Sequence, residues 1–209
     1  MTMRERIAAG KLFTDQCEGL PEDRLDGKLK MWAINTLSPD ELNRKDKLIR
    51  ETFNITGNVS IEPPLSFCYG YNIKIGDQSY INTNCTLIDD GVISIGERVL
   101  IGPAVTIATV SHPVHPDYRS YMYTNSVTLE NGCWIGAGVT ICPGVTIGEN
   151  SVIGAGSVVV KDIPANTIAV GNPCQPIRKI TEEDQRYYSK DHPITDADLA
   201  EERRLSRNR

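Results

Sequence analysis

Aliphatic residues recur every six positions through the middle of the chain. They stand at Ile75, Ile81 and Leu87, then Ile95, Ile101 and Ile107, then Leu129, Ile135, Ile141, Ile147, Ile153 and Val159, with Ala165 closing the series. Four places after most of them comes a small or β-branched residue, as at Ser79, Val99, Val105, Val139 and Ser157, and glycine often follows the aliphatic directly. An amphipathic helix would need spacing near 3.6, and a hairpin sheet a period of two with a turn every ~8 to 12 residues, so neither fits. A strict six predicts a short strand ending in a two-residue corner, with the aliphatic turned into a prism and glycine or asparagine accepting the corner backbone. Three faces make a coil of eighteen residues. One coil cannot bury its own aliphatics, so coils must stack and join through parallel hydrogen bonds.

Two slips break the repeat: Leu87 to Ile95 is a step of eight, and Ile107 to Leu129 a step of twenty-two. The second slip contains ATVSHPVHPDYRSYMYTNS, too polar and too rich in Pro and Tyr for prism wall. It predicts a loop, about residues 108–126, thrown out of a coil at a place where chemistry concentrates. Before the repeat, Arg4 to Phe13 and Asp40 to Phe53 carry helical patterning, and Ser38-Pro39-Asp40-Glu41 offers an N-cap followed by proline and acids. After Ile180 the chain is charged throughout, with a helix start at Thr181-Glu182-Glu183. The organisation is a helical cap over 1–57, a β-helix over 58–180 and a short C-terminal helix with a charged tail over 181–209.

The 209 residues suit one domain with appendages. A net charge of -5 supplies no basic field, which argues against nucleic acid as a partner. The N-terminus lacks an apolar stretch behind its charges, and no run of about 18 apolar residues occurs, so the expectation is a soluble cytoplasmic protein with no membrane partner. Six cysteines, at 17, 68, 85, 133, 142 and 174, form no C-x-x-C pair and no zinc-ligand spacing, and Cys85 and Cys133 fall at small-residue slots of the repeat. They read as compact apolar fillers.

Two of the three histidines lie in the ejected loop, in Ser111-His112-Pro113-Val114-His115. A neutral imidazole there can take a proton from a hydroxyl as it attacks a thioester. The alternatives are a loop histidine that only bonds backbone, and a metal ligand, for which a third ligand is wanting. A second group gathers at Tyr80-Ile81-Asn82-Thr83-Asn84 and Asp89-Asp90-Gly91, around the first slip, although corners favour Asn, Asp and Gly for backbone reasons alone. Asp90, a paired acid beside a loop, is the better candidate to grip sugar hydroxyls. A third group, Gly136-Ala137-Gly138 and Gly154-Ala155-Gly156 with Val160-Lys161 following, would let a long, narrow ligand lie along a coil edge against free N–H groups.

The pattern Ile-Gly-x-x-Val-x resembles the hexapeptide-repeat proteins. The segments GKLFTDQCEGLPEDR, SHPVH and IGAGVTICPGVTIGENSVIGAGSVVVKDIPANTIAVGNPCQPIRKI narrow the resemblance to the galactoside and maltose O-acetyltransferases, from about Met3 to about Tyr188. That resemblance implies a left-handed parallel β-helix, acetyl-CoA as co-substrate, a small sugar as acceptor, no metal, and a homotrimer with clefts between neighbouring coils. It implies His112 as the base, with His115 and Trp134 as neighbours of the reaction centre. Asp15, Ser66, Asn82 and Asp90 match positions that hold the acceptor. Ala137, Ala155, Val160, Lys161 and Arg178 match the acetyl-CoA strip, the last two as partners for phosphates. Gln175 departs from a site that is often basic.

The expected reaction is direct acetyl transfer from acetyl-CoA to a sugar hydroxyl, with no covalent enzyme intermediate and a backbone donor at the developing oxyanion. The rivals are a hexapeptide acyltransferase for serine, an amino sugar or an antibiotic, a metal hydratase of carbonic-anhydrase type on the same helix, and a scaffold without catalysis.

Overall fold

The hexads fold into three parallel sheets that form the walls of a prism. The computed structural model describes residues 1–16, 19–189 and 192–200. Face one carries strands Asn54–Ile55, Ile73–Ile75, Ile93–Ile95, Val127–Leu129 and Thr146–Ile147. Face two carries Ser60–Ile61, Tyr80–Ile81, Leu100–Ile101, Trp134–Ile135, Val152–Ile153, Thr167–Gly171 and Cys174–Lys179, and face three carries Leu65–Phe67, Cys85–Ile88, Thr106–Ala108, Thr140–Ile141 and Val158–Val159. Each aliphatic of the repeat stacks on its equivalent in the next coil: Ile81 pairs with Ile101, Ile101 with Ile135, and Ile135 with Ile153. These side chains are buried and form one continuous core with the small residues four places on.

Corners repeat as regularly as strands. Between faces one and two, Gln78, Arg98, Gly132, Asn150 and Asn166 all adopt positive φ, and between faces two and three Asn84, Ala104, Gly138 and Gly156 do the same. The left-handed conformation is thus a property of the corner, reached by glycine, asparagine and a few residues without their freedom.

Coil length differs from expectation in the first half of the helix. Eighteen residues separate partners only in the later coils, as in Thr128 with Thr146 and Thr140 with Val158. In the earlier coils the partners lie twenty apart, as in Lys74 with Ser94 and Leu65 with Cys85. The two extra residues form a wide corner from face three to face one. Asp89 holds it: its carboxylate accepts the N–H groups of Cys68 at 2.8 Å, Tyr69 at 2.9 Å and Gly70 at 2.7 Å. The slip after Leu87 is therefore the second of two such corners. The first went unseen because the aliphatics before Ile75 do not fall into hexads.

The loop leaves after Ala108 and returns at Val127. It is an antiparallel ribbon, Val110–Ser111 against Tyr123–Thr124, with a 3-10 turn at Pro116–Tyr118. The N-terminal segment pins it: Phe13 and Met122 exchange backbone hydrogen bonds at 2.9 Å, and Thr124 Oγ1 donates to the Ile7 carbonyl at 3.0 Å.

Three helices precede the coils. The first, α1 (Met3–Ala8), has a Thr2/Glu5 capping box and stops short of the expected Phe13 because Gly10 turns the chain at positive φ. The second, α2 (Leu20–Asn35), is the longest and carries no amphipathic signal. Leu20, Gly27 and Ile34 are buried while Leu25, Leu29 and Trp32 face out, so apolar residues lie all round it. Gly27 permits the approach of α2 to the strand end, since a Cβ there would lie 2.2 Å from the Cys68 carbonyl oxygen. The third, α3 (Leu42–Thr52), begins after Glu41 rather than at Pro39. Residues 38–41 form a separate turn, closed by the Glu41 N–H donating to the Ser38 carbonyl at 3.0 Å.

The chain divides into compact units between Arg178 and Lys179. In the second unit the helix expected from Thr181 is a single 3-10 turn, Glu182–Gln185. Antiparallel strands Tyr187–Ser189 and His192–Pro193 follow, and residues 196–200 are helical. Cys17 and the basic stretch RRLSRNR lie outside the described residues. No helix among the described residues is long and apolar enough to cross a membrane.

Two stability predictions follow from the stacking and the wide corner. Ile135→Ala should cost about 2–5 kcal/mol in urea unfolding, because the prism interior cannot collapse around the void. Lys74→Ala, which leaves the outer face of the same helix, should stay within about 0.5 kcal/mol. Asp89→Ala should cost about 2 kcal/mol or more, since it strands three N–H groups at the corner. An unfolding midpoint for Asp89→Ala equal to wild type would show that water replaces the carboxylate without loss.

Candidate active site

At the wide corner the residue after Asp89 turns its carboxylate the other way. Asp90, with 1% of its side chain exposed, accepts from Arg24 Nη2 at 3.2 Å. Arg24, on the second turn of α2, also binds Asp15 through Nη1, and Gln16 Nε2 donates to the second Asp15 oxygen at 2.9 Å. The guanidinium lies 5.6 Å from the centroid of the Tyr69 ring. Three chain segments far apart in sequence thus converge on one cation. Burial pushes the Asp90 carboxyl up, with the Arg24 charge opposing and the Asp89 charge adding. Burial also pushes the Cys68 thiol up to about 12, with Asp90 and Asp89 adding, so Cys68 stays protonated and is no nucleophile. Arg24 Nε and the Tyr69 hydroxyl are buried without a hydrogen-bond partner among the described residues. Beside Asp90, a cavity of about 350 Å³ opens between α1 and the corner, walled by Ile7, Leu20, Tyr69, Tyr71 and Thr124.

Of the four expected acceptor residues, this cluster contains Asp15 and Asp90. Ser66 stands apart: it points outward from face three, exposed and in register with Thr86, between buried Leu65 and Phe67. The alternation of the strand puts every second side chain outside, and the cluster's neighbour from that end of the strand is Cys68. Sequence reasoning missed Arg24 and Cys68, because neither a lone arginine in LPEDR nor a cysteine off the repeat carries a spacing signal.

The loop presents His112 in a defined tautomer. Its Nδ1 lies 2.8 Å from the Arg119 carbonyl oxygen and 3.0 Å from that of Tyr121. Both partners can only accept, so Nδ1 carries a proton, and in the neutral ring the lone pair falls on Nε2. His115 is set the opposite way: its Nδ1 accepts from the Asp117 N–H at 3.3 Å, which leaves the proton on Nε2. The Arg119 guanidinium donates to the Val114 carbonyl at 3.1 Å and draws the loop together.

The remaining residues lie on the corner between faces two and three. Asn82, Gly102, Gly136 and Gly154 stack in one column, each N–H donating to the coil below, to Ile101, Ile135, Ile153 and Ala169 in turn. In the next column stand Thr83, Pro103, Ala137 and Ala155. The Thr83 N–H is taken by Asn82 Oδ1 at 2.8 Å, and Pro103 has none to offer. The N–H groups of Ala137 and Ala155 have no hydrogen-bond partner among the described residues, although those of Gly138 and Gly156 beside them are bonded. Space around this strip is open, since a Cβ on Gly138 or Gly156 would meet nothing within 4 Å. Val160 and Lys161 follow at the far end of face three and are exposed. Arg178 lies in the last strand of face two. Trp134 projects outward from face two, 55% exposed, directly before this corner.

The expected site residues therefore fall into two groups. His112, Asp15 and Asp90 belong to the corner between faces three and one, and Asn82, Ala137 and Ala155 to the corner between faces two and three. One wall of the prism, face three, lies between the two corners. Among the described residues, no three His, Cys, Asp or Glu side chains converge as a metal would require.

Comparison with known proteins agrees with this architecture. Residues 126–161 match the family model described as bacterial transferase hexapeptide (six repeats). The galactoside O-acetyltransferase of Escherichia coli (strain K12) is 52% identical over 197 residues, covering 93% of this chain and 97% of that protein. A solved galactoside acetyltransferase in complex with coenzyme A superposes with a TM-score of 0.89 at 49% identity, covering 93% of this chain and 99% of the other. A maltose O-acetyltransferase from Clostridium difficile 630 gives a TM-score of 0.85 at 40% identity, covering 87% of this chain and 99% of the other. The chain thus belongs to the hexapeptide-repeat acetyltransferase family that includes galactoside O-acetyltransferase.

Proposed function

We propose that this protein transfers an acetyl group from acetyl-CoA to a hydroxyl of a small sugar. The observation that carries the reading is the hold on His112, whose Nδ1 faces two carbonyl oxygens so that Nε2 is the ring nitrogen left to accept a proton. Support for the donor comes from the coenzyme A complex of a close relative, and for the acceptor from the names of the galactoside and maltose relatives.

In this reading Asp15 and Asp90 accept hydrogen bonds from acceptor hydroxyls, and Asn82 offers its amide from the other corner. The thioester lies along the strip of Ala137 and Ala155, with Val160 beside its chain and Lys161 and Arg178 toward its phosphates. The acceptor oxygen attacks the carbonyl carbon as its proton passes to His112 Nε2. The oxyanion of the tetrahedral intermediate is met by the Ala137 N–H. Collapse breaks the C–S bond, and the imidazolium returns its proton to the departing thiolate. His115, whose free nitrogen already carries a proton, is a neighbour of the reaction rather than its base.

The separation of the two groups supports a site completed between copies, with the loop of one chain reaching the strip of the next. A trimer fits this reading, with three equivalent sites. Face two supplies a fitting contact surface, because exposed Leu100 and Trp134 stack in register on its outside. A cytoplasmic setting fits the free state of the five described cysteines.

Free CoA release from acetyl-CoA should depend on a neutral sugar or glycoside in a panel of acceptors. His112→Ala should lower turnover by about 10²–10⁴ while the urea midpoint stays that of wild type. Retention of more than about a tenth of the rate would place the base elsewhere. Ala137→Pro, which copies Pro103 one coil above, should lower turnover by about 10²–10³ through loss of one N–H donor. Unchanged turnover in Ala137→Pro would remove that group from the oxyanion site.

A further inference from the structure

We propose that Arg24 is a positioning residue of the acceptor site, clamping the carboxylates of Asp15 and Asp90 in the geometry that receives the sugar. The inference rests on the acetyl-transfer reading above. Asp15 lies in the irregular segment between α1 and α2, where, among the described residues, the side chains of Gln16 and Arg24 bond its carboxylate. Asp90 is fixed to the wide corner, where its carboxylate meets Arg24 and the Cys68 thiol, and among the described residues no backbone N–H donates to it. The two acids come from opposite sides of the site, and the guanidinium fork is what joins them. A planar fork suits this task, since each Nη can serve a different carboxylate while the ring of Tyr69 supports its face.

A staple that served stability alone would be poorly built in this way. Asp90 is almost wholly buried and Arg24 is 30% exposed, so the desolvation of the charges offsets much of their attraction. Arg24 Nε is moreover buried with no hydrogen-bond partner among the described residues, a further cost. The arrangement makes sense if the fixed carboxylates are the product. Arg24 leaves them as oriented acceptors, which is what sugar hydroxyls need, and it offsets one of their two charges.

A consequence for pH follows from the groups that face Asp90. These are Arg24 from α2, Asp15 from the segment before it, Asp89 beside it, and Cys68 and Tyr69 from the strand end above. Arg24 is the cation bonded to Asp90; Arg4 of α1, which lines the same cavity, is paired with Asp23 instead. Burial, Asp89 and Asp15 all push the Asp90 carboxyl up, and Arg24 holds it down. Without Arg24 the carboxyl protonates at higher pH and is lost as an acceptor sooner as pH falls.

The test uses the full-length protein, acetyl-CoA and the sugar that wild type acetylates. Arg24→Met should raise the acceptor KM about tenfold or more, the loss expected for breaking a buried charge pair, and leave the acetyl-CoA KM within about twofold. The pH below which acceptor KM climbs should move upward. Arg24→Lys should recover part of the loss and return the pH limb toward wild type, because an ammonium restores the charge but serves one carboxylate at a time. An unchanged acceptor KM, or a parallel rise in both KM values with a fall in Tm and no movement of the pH limb, would overturn the proposal. Should Arg24→Met not fold, Arg24→Lys decides alone: a raised acceptor KM at near wild-type Tm supports the clamp, and wild-type KM overturns it. Failure of the wild type itself to acetylate any sugar would instead sink the acetyl-transfer reading.

Discussion

The hydrogen bonding of each coil onto the next, strand over strand in fixed register, is the constraint on which the rest of this molecule depends. Because Ile101, Ile135 and Ile153 pair in sequence, every position of the repeat stacks above its equivalent, corners included. A register slip of one residue would turn the prism aliphatics into solvent and the outer polar residues into the core. The same stacking brings the N–H groups of Ala137 and Ala155 into line, though they are eighteen residues apart in the chain. A line of backbone donors thus comes from periodicity itself, with no loop required to build it.

Chemistry enters where the periodicity is interrupted. The two added residues of the wide corner give Asp89 room to gather three N–H groups, and this turns Asp90 outward to Arg24. The long insertion at the same edge one coil later supplies His112, and the N-terminal segment crosses that insertion to deliver Asp15. Rigid walls and irregular corners divide the work between them. The walls set distances, and the corners place His112, Asp15 and Asp90, to which the proposed reaction gives the proton and the hydroxyls.

How far this could be read in the sequence depended on how local each signal was. The hexads were plain because a burial pattern of period six has no competitor, and the loop was plain because nothing in it fits a prism wall. Helix α2 was not, because Leu25, Leu29 and Trp32 on its outer side erase the contrast between faces. The first wide corner was hidden by the absence of hexads before Ile75, although Asp89 serves it from one coil below. Ser66 was named by resemblance, and the strand turns it outward on face three while Cys68, two residues on, lies beside Asp90. Arg24 was unreadable for a different reason: its importance lies in contacts 9 and 66 residues away, which no window of sequence contains.

In the proposed reaction the site is completed between copies, the loop of one chain working with the strip of another. Mixed assemblies of His112→Ala and Ala137→Pro chains measure this directly, since each variant alone lacks one half of the site. Random mixing should restore about a quarter of wild-type turnover, because one contact in four joins an intact loop to an intact strip in a cyclic assembly. Mixed assemblies no more active than the separate variants would contradict the shared site and place both halves within one chain.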